Sequence, residues 1–141
     1  MKEIAALPVP DAQRVLLDSV KPADTEVISS KSALGRVLAE DIATPRAFPD
    51  TRRSAVDGYA VDQVGLKQYR IVATLGAGEL PQQALATGQA AAVMTGATVP
   101  EGSVAVVRVE DVEAEDNLLR ILTEVREQEN INRIGEEMAQ G

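Results

Sequence analysis

The sequence predicts a mainly β protein with a minor helical part, and three observations predict it. Five short apolar runs, separated by turn-rich segments, have the length and spacing typical of strands in a β module. Helical periodicity is confined to the start of the chain. Hydrophobic residues make up 45% of the 141 residues and aromatic residues 2%, so the chain can bury a sizeable core, which must be aliphatic.

The predicted helix lies near the N-terminus. Asp11 is expected to cap it, because a short acidic side chain can accept hydrogen bonds from the free N–H groups of a first helical turn. Apolar residues such as Ala12 and Val15 then recur at helical spacing through Val20. The Lys21-Pro22 step ends the helix, since the residue before a proline avoids helical backbone angles.

Three short elements are predicted between this helix and residue 43. Thr25–Ser29 is partly β-branched and predicts a strand. A brief helix would follow, capped by Ser30 or Ser32 and ended by Gly35. The partial alternation over Val37–Ile42 predicts a second strand.

Residues 44–53 are predicted to form a loop, because prolines and arginines interrupt the apolar pattern there. The strands predicted beyond it are Tyr59–Val61, Arg70–Leu75, Ala90–Thr95, Val104–Glu110 and Leu118–Leu122. Glu115-Asp116-Asn117 predicts a hairpin turn, and Gly76-Ala77-Gly78 predicts a plain turn. The polar tail from Glu124 to Gly141 is expected to lack a packed face and to be the least protected segment; its end at Gly141 predicts a longer native chain.

Composition excludes several classes of function. Twenty-two acidic and fourteen basic residues give a net charge of −8, which disfavours general binding to nucleic acids. The absence of histidine and cysteine removes Ser-His catalysis and zinc sites with nitrogen or sulfur ligands, so any metal must bind through oxygen. No segment has the length of a membrane span or the pattern of a signal peptide, and we expect a cytoplasmic protein without a membrane partner.

Asp57 is the first candidate functional residue. The Asp57-Gly58 step favours a tight turn before a strand, so the carboxylate is either a structural turn group or a ligand at the rim of a site. Arg52 and Arg53 lie close by in the sequence. They would either attract an anion to that site or remain solvated loop charges.

Thr95 is the second candidate. In Met94-Thr95-Gly96 the hydroxyl can bond a ligand oxygen while Gly96 lets the backbone approach closely, although a plain strand-to-turn transition has the same pattern.

The five carboxylates between Glu110 and Asp116 match no calcium loop, and we interpret them as a solvated hairpin tip in preference to a Mg²⁺ or Ca²⁺ site. The mixed charges of residues 132–137 indicate a turn.

Several longer sequence motifs, taken in their order along the chain, resemble those of a known protein family. They are Leu34-Gly35-Arg36-Val37-Leu38-Ala39-Glu40-Asp41, Ser54-Ala55-Val56-Asp57-Gly58-Tyr59-Ala60-Val61, Met94-Thr95-Gly96-Ala97, Val99-Pro100-Glu101-Gly102, Ala105-Val106-Val107 with Glu110, and Asn130-Ile131 with Gly135-Glu136. In this order they resemble the N-terminal region of the MoeA/gephyrin family of molybdenum insertases. The resemblance extends over essentially the whole chain.

The resemblance implies an elongated region in two parts. Residues 1–50 and 120–141 would form a linking and dimerisation subdomain, and residues 51–119 would form an inserted β-rich subdomain. It also implies a homodimer, with the active site in a cleft between the β-rich subdomain of one subunit and the cofactor-binding domain of the other. That second domain would follow this region in the full enzyme.

The implied activity is insertion of molybdate into adenylylated molybdopterin, with Mg²⁺ assisting the phosphate chemistry. By resemblance, Asp57, Thr95 and Glu137 are catalytic, Asp57 also binds the metal, and Ser54 and Arg133 bind the cofactor. The fragment alone is expected to bind no cofactor and to have no turnover. The alternative is a non-catalytic β scaffold or interaction module, because this chain has Thr51-Arg52-Arg53 where the family usually has Phe-Asp-Asn and fewer arginines before Gly135.

Overall fold

The structure, a computed structural model, describes residues 7–141. The chain divides into two compact units, one ending at Ile42 and the other spanning Ala43–Gly141. The described residues contain no helix that is long and apolar enough to cross a membrane. The division into residues 1–50 with 120–141 and residues 51–119 stays a prediction.

The first unit contains the predicted helix with a different start. Helix α1 spans Val9–Ser19, and Pro8 occupies the cap position without any side-chain cap bond. The expectation that Asp11 caps the helix is therefore wrong. Pro10 fits the first turn of the helix because no backbone N–H donor is needed there. Asp11 lies in the same turn, where its negative charge interacts favourably with the positive end of the helix dipole.

The other elements predicted in this unit are only partly present. A single 3₁₀ turn spans Ser30–Ser32, capped by the hydroxyl of Ser29 in place of Ser30 or Ser32. The strands predicted over residues 25–29 and 37–42 are both wrong. Apolar alternation becomes a strand only where a second strand can take up its backbone hydrogen bonds, and neither segment has such a partner among residues 7–42.

The second unit is built on β strands. They are β1 Arg53–Ser54, β2 Gly58–Val61, β3 Gln68–Leu75, β4 Gln89–Val93, β5 Ala105–Arg108, β6 Val112–Glu115, β7 Leu118–Ile121 and β8 Ile131–Asn132. A six-stranded sheet has the order β5-β2-β4-β3-β7-β6, and β1 pairs separately with β8. All five predicted strands are present, and β3 and β4 form the parallel pair of the sheet. The turn at residues 115–117 is confirmed, but it joins β7 to β6, a strand that the sequence did not predict, because the Val104–Glu110 segment forms β5 and pairs with β2.

The aliphatic core lies on both faces of the six-stranded sheet. Neighbouring residues divide between two buried clusters, Ala60 and Ala91 in one and Val61 and Ala90 in the other. This division follows from the alternation of side chains along a strand. Ala60 in the first cluster and Leu119 in the second are both fully buried, which shows that both faces are covered within this unit.

The polar tail packs against the sheet, contrary to expectation. Ile131 is buried in the first core cluster, and β8 pairs with β1. The backbone N–H groups of Gln128 and Val106 donate to the carbonyls of Val104 and Glu129, so the tail also covers the outer edge of β5. A polar segment can dock through its backbone with one apolar side chain inserted, which composition alone does not reveal.

Gly58 is required by close packing rather than by a turn. It is the first residue of β2, and a Cβ atom there would lie 2.0 Å from the carbonyl oxygen of Val107 on β5. No side chain fits at that distance, so the backbones of β2 and β5 approach closely because residue 58 is glycine.

We therefore expect Gly58→Ala to destabilise the protein by about 1–3 kcal/mol, since the added methyl group overpacks the contact with β5. Gly76→Ala is the matched control, because a Cβ atom there would only contact the Glu79 side chain, at 3.6 Å. Urea unfolding of both variants measures the difference. Equal stability of the two variants would contradict the close approach of β2 and β5.

Candidate functional site

The register of the sheet brings Asp57 and Thr95 together. Strands β2 and β4 are antiparallel, with Gly58 opposite Val93. Asp57 immediately precedes β2 and Thr95 follows β4 by two residues, so both lie at the same end of the sheet. They are 38 positions apart in the sequence, and the pairing of the two strands is what makes them neighbours.

Two hydrogen bonds join these residues. The backbone N–H of Thr95 donates to Oδ1 of Asp57 at 2.7 Å, and the Thr95 hydroxyl donates to the same oxygen at 2.9 Å. Both side chains are exposed. The second carboxylate oxygen, Oδ2, makes no hydrogen bond within the described chain and is free to meet a ligand.

These contacts favour the ionised form of Asp57. The Thr95 N–H lowers the pKa of the carboxyl below its ordinary value, the Thr95 hydroxyl lowers it further, and partial desolvation opposes them. Asp57 is therefore a fixed, exposed anion at neutral pH. Such a group can hold a cation or accept a hydrogen bond, and it is a poor proton donor.

Gly96 shapes the turn that presents Thr95. Its φ angle of +80° is in the left-handed region, and a Cβ atom there would have no other atom within 4 Å. Gly96 therefore supplies a backbone conformation that other residues rarely adopt, and its expected role in close approach to a ligand stays a prediction. The N–H of Gly96 donates to the carbonyl of Ser54 at 2.8 Å, which ties the turn to β1.

Ser54 supports this turn from inside the protein. It is 1% exposed, and its hydroxyl donates to the carbonyl of Val56 at 2.5 Å. Its backbone N–H donates to the carbonyl of Ala97. The structure thus gives Ser54 local contacts, and its role in cofactor binding stays a prediction.

Arg53 also belongs to this site. From the sequence we expected it either to attract an anion or to remain a solvated loop charge. Its guanidinium donates to the Gly96 carbonyl at 3.4 Å and to Oδ1 of Asp50 at 3.2 Å. That bond lowers the pKa of Asp50. Arg52 similarly donates to the Ser103 carbonyl at 2.8 Å. Both arginines therefore stabilise loops through hydrogen bonds to backbone carbonyls. The only hint of these contacts in the sequence is the spacing of Asp50 and Arg53, which are close enough to form an ion pair.

Glu137 and Arg133 lie in the tail beyond β8, with exposed side chains. The N–H of Glu137 donates to the Phe48 carbonyl, and the N–H of Arg133 donates to the carboxylate of Glu136 at 2.6 Å. Within residues 7–141 no hydrogen bond or ion pair joins their side chains to Asp57 or Thr95. Their predicted roles stay predictions.

Any metal ion at this site would meet oxygen ligands, because the chain has no histidine or cysteine. Among residues 7–141 no three acidic side chains lie close enough to share a metal ion. Oδ2 of Asp57 makes no hydrogen bond within the described chain and could coordinate a cation. A cation bound there would complete its coordination with water or phosphate oxygens, as Mg²⁺ often does.

Comparisons with known proteins agree with one another. The family model described as "MoeA N-terminal region (domain I and II)" matches residues 7–141. The chain is 36% identical over 124 residues to the molybdopterin molybdenumtransferase of Haemophilus influenzae, covering 85% of this chain and 31% of that protein. It is 31% identical to the molybdopterin molybdenumtransferase of Bacillus subtilis, covering 96% of this chain and 34% of that protein.

Solved structures show the same likeness. The molybdopterin biosynthesis moeA protein from Pyrococcus horikoshii OT3 superposes with a TM-score of 0.80 at 34% identity, over 96% of this chain and 38% of that one. The chain thus spans about a third of the length of the curated relatives that it matches.

The ionisation of Asp57 can be tested through Thr95. Thr95→Val removes the hydroxyl and keeps the backbone N–H, so the pKa of Asp57 should rise and still remain below the ordinary aspartate value. Thr95→Ser is the control and should leave the pKa unchanged. An NMR titration of the Asp57 carboxyl carbon measures all three proteins.

The lowered pKa of Asp57 also determines how its contribution to stability depends on pH. Because the folded-state pKa is lowered, Asp57 contributes stability above its unfolded-state pKa and loses it as pH falls through the folded value. This acid-sensitive contribution should shrink in Thr95→Val. An unchanged pKa in Thr95→Val would contradict the bond from the hydroxyl.

Proposed function

The chain belongs to the MoeA N-terminal region family, and from that membership we propose that it is the dimerisation and cleft-forming region of a molybdenum insertase. The complete enzyme would insert molybdate into adenylylated molybdopterin in the cytoplasm. This chain would supply one wall of the reaction cleft, and a cofactor-binding domain of the partner subunit would supply the other.

The observation that carries this proposal is the Asp57–Thr95 pair. An exposed carboxylate is held ionised by two hydrogen bonds to one oxygen, with the other oxygen free. At a cleft wall, a fixed anion with one free oxygen is suited to orient a cation on bound phosphate.

Charge decides between two possible roles for Asp57. Molybdate is an anion, so direct contact between it and the Asp57 carboxylate would be repulsive. Mg²⁺ commonly binds one or two carboxylates together with substrate phosphates and water. We therefore assign Oδ2 of Asp57 to Mg²⁺, which would neutralise charge on the phosphate of the adenylylated substrate. Thr95 would keep the carboxylate in position.

The other predicted residues divide by their exposure. Arg133 is an exposed cation in the tail and could meet an anionic phosphate or molybdate, and Glu137 is an exposed carboxylate further along the tail. Ser54 is too deeply buried to meet a large cofactor, and we propose that it positions the turn of Gly96 instead.

A homodimer is supported by the first unit. None of the residues of α1 is buried, and the large apolar side chains of Val15, Leu16 and Leu17 are 57–74% exposed. An isolated helix of eleven residues is marginal in water, so α1 needs a packing partner. We propose a second copy of the chain as that partner.

The non-catalytic scaffold remains the second candidate, and the use of Arg52 and Arg53 favours it. Both side chains bond backbone carbonyls and stabilise loops. A protein that kept the fold and lost the chemistry would retain such contacts. Activity measurements on Asp57 separate the two candidates.

The activity is tested in a chimera, with this chain replacing the matching region of the Haemophilus influenzae molybdenumtransferase. Asp57→Asn should keep the fold, because the amide oxygen can still accept both Thr95 bonds, and should lower molybdenum insertion at least about tenfold, since the metal ligand loses its charge. Asp62→Asn is the matched control, because its carboxylate accepts a bond from the Gly88 N–H elsewhere in the unit. Equal activity of both variants, or an inactive parent chimera, would favour the scaffold.

The dimer is tested on the chain itself by light scattering over a concentration series. We expect the mass of two chains, and Leu16→Glu in α1 should halve that mass because a charge is costly in an apolar interface. Leu122→Glu is the control, since Leu122 is 51% exposed and lies in the second unit. A single-chain mass at high micromolar concentration would contradict the proposal.

A further inference from the structure

The two tyrosines of the chain use their hydroxyl groups differently. Tyr69 in β3 is 3% exposed, and its hydroxyl donates to the Gln63 carbonyl at 2.7 Å, as a buried tyrosine normally requires. Tyr59 in β2 is half-buried, with its ring packed against the second core cluster. Its hydroxyl is accessible to solvent and makes no hydrogen bond within residues 7–141. The fold therefore leaves the Tyr59 hydroxyl available to a ligand.

Tyr59 lies on the same side of its strand as Asp57. The Val109 N–H donates to the Asp57 carbonyl at 3.2 Å, so the pairing of β2 with β5 continues one residue beyond Gly58. Side chains two residues apart on such an extended segment point to the same side, and their Cα atoms are about 7 Å apart. The Tyr59 ring is thus the next side chain along the sheet from the Asp57 carboxylate.

The face that carries Tyr59 receives no other polar side chain from β2, β4 or β5. These strands contain three polar side chains, those of Tyr59, Gln89 and Arg108. By alternation Gln89 shares a face with Ala91, and Arg108 shares a face with Val106, which is the face of the first core cluster. Tyr59 packs on the opposite face, against the second cluster. It is therefore the one polar side chain of these strands on the face beside the candidate site.

The surroundings of Tyr59 are small or apolar. Its cross-strand neighbours are Ala92 on β4 and Val107 on β5. Toward the candidate site, Met94 and Val109 are 52% and 50% exposed. None of these side chains donates a hydrogen bond. An anionic group that approaches this face would therefore find its side-chain donor in Tyr59.

Charge separates the task of Tyr59 from that of Asp57. The Asp57 carboxylate repels a phosphate group unless a cation lies between them. The Thr95 hydroxyl donates its proton to Oδ1 of Asp57 and has no second proton for a phosphate oxygen. A neutral hydroxyl beside the carboxylate can donate to a phosphate oxygen, and hydrogen bonds to charged acceptors are among the stronger ones.

We propose that the Tyr59 hydroxyl binds substrate by donating a hydrogen bond to a phosphate oxygen of the adenylyl group. Asp57 would hold the cation that lies on one phosphate oxygen, and Tyr59 would hold another oxygen of the same phosphate. The phosphate would then be oriented at two points. This inference rests on the proposed insertase function and adds to it a residue that recognises the phosphate.

Tyr59→Phe tests this role in the chimera with the Haemophilus influenzae molybdenumtransferase. The variant keeps the ring that packs on the core and removes the hydroxyl. We expect KM for the adenylylated substrate to rise about tenfold, with kcat changed less and the melting temperature unchanged, because a bond to the bound substrate is lost. Tyr69→Phe is the matched control. It should lower the melting temperature and leave KM unchanged, since the Gln63 carbonyl loses its donor.

Binding of AMP with Mg²⁺ gives a second measurement that does not depend on turnover, because AMP carries the phosphate of the adenylyl group. In the chimera labelled with ¹³C at the tyrosine Cζ atoms, the NMR signal that is missing from Tyr59→Phe belongs to Tyr59. We expect this signal to shift when AMP and Mg²⁺ are added, and the Tyr69 signal to stay in place. Tyr59→Phe should bind AMP about tenfold more weakly than the parent chimera.

The outcomes separate this inference from the insertase proposal. A Tyr59→Phe variant with the KM of the parent, or a Tyr59 signal that does not shift with AMP, overturns the inference; if Asp57→Asn still lowers insertion, the insertase proposal stands. A loss of melting temperature at unchanged KM in Tyr59→Phe overturns it too, because the hydroxyl would then be structural. If the parent chimera is inactive, or Asp57→Asn is as active as the parent, the insertase proposal fails and this inference fails with it.

Discussion

The close approach of β2 to β5 is the constraint on which the rest of the second unit depends. It exists because residue 58 has no side chain, so that the Val107 carbonyl can lie where a Cβ atom would otherwise be. With β2 held against β5 on one side and β4 on the other, Gly58 and Val93 are opposite each other. That register sets where Asp57 leaves the sheet.

The chemistry of the site follows from this geometry. Once Asp57 and the turn after β4 share one end of the sheet, the Thr95 N–H can reach the carboxylate, and the resulting bonds hold Asp57 as an anion. Gly96 supplies the left-handed turn, and Arg53 fixes its carbonyl from the side of β1. A small aliphatic sheet thereby presents a charged oxygen at its surface without burying a charge.

Sequence patterns predicted the central strands, because their apolar runs are bounded by clear turn signals. They missed β1 and β8, which are two residues long and owe their pairing to the chain folding back, and they missed β6, whose acidic residues indicated a solvated hairpin tip. They also predicted strands within residues 25–42, for which the described residues 7–141 supply no partner strand. The Asp57–Thr95 contact spans 38 positions and depends on strand register, so the sequence could suggest both residues by family resemblance without showing that they touch. The role of Gly58 was missed for the same reason, because its contact with the Val107 carbonyl depends on a strand distant in sequence.

The site depends on the hydrogen bond between the Thr95 amide and an ionised Asp57. The most direct measurement is the NMR scalar coupling across that hydrogen bond, between the Thr95 amide nitrogen and the Asp57 carboxyl carbon. We expect a measurable coupling at neutral pH that fades as the carboxyl is protonated at acid pH. A Thr95 amide that shows no coupling and exchanges with solvent as fast as an unprotected one would contradict it.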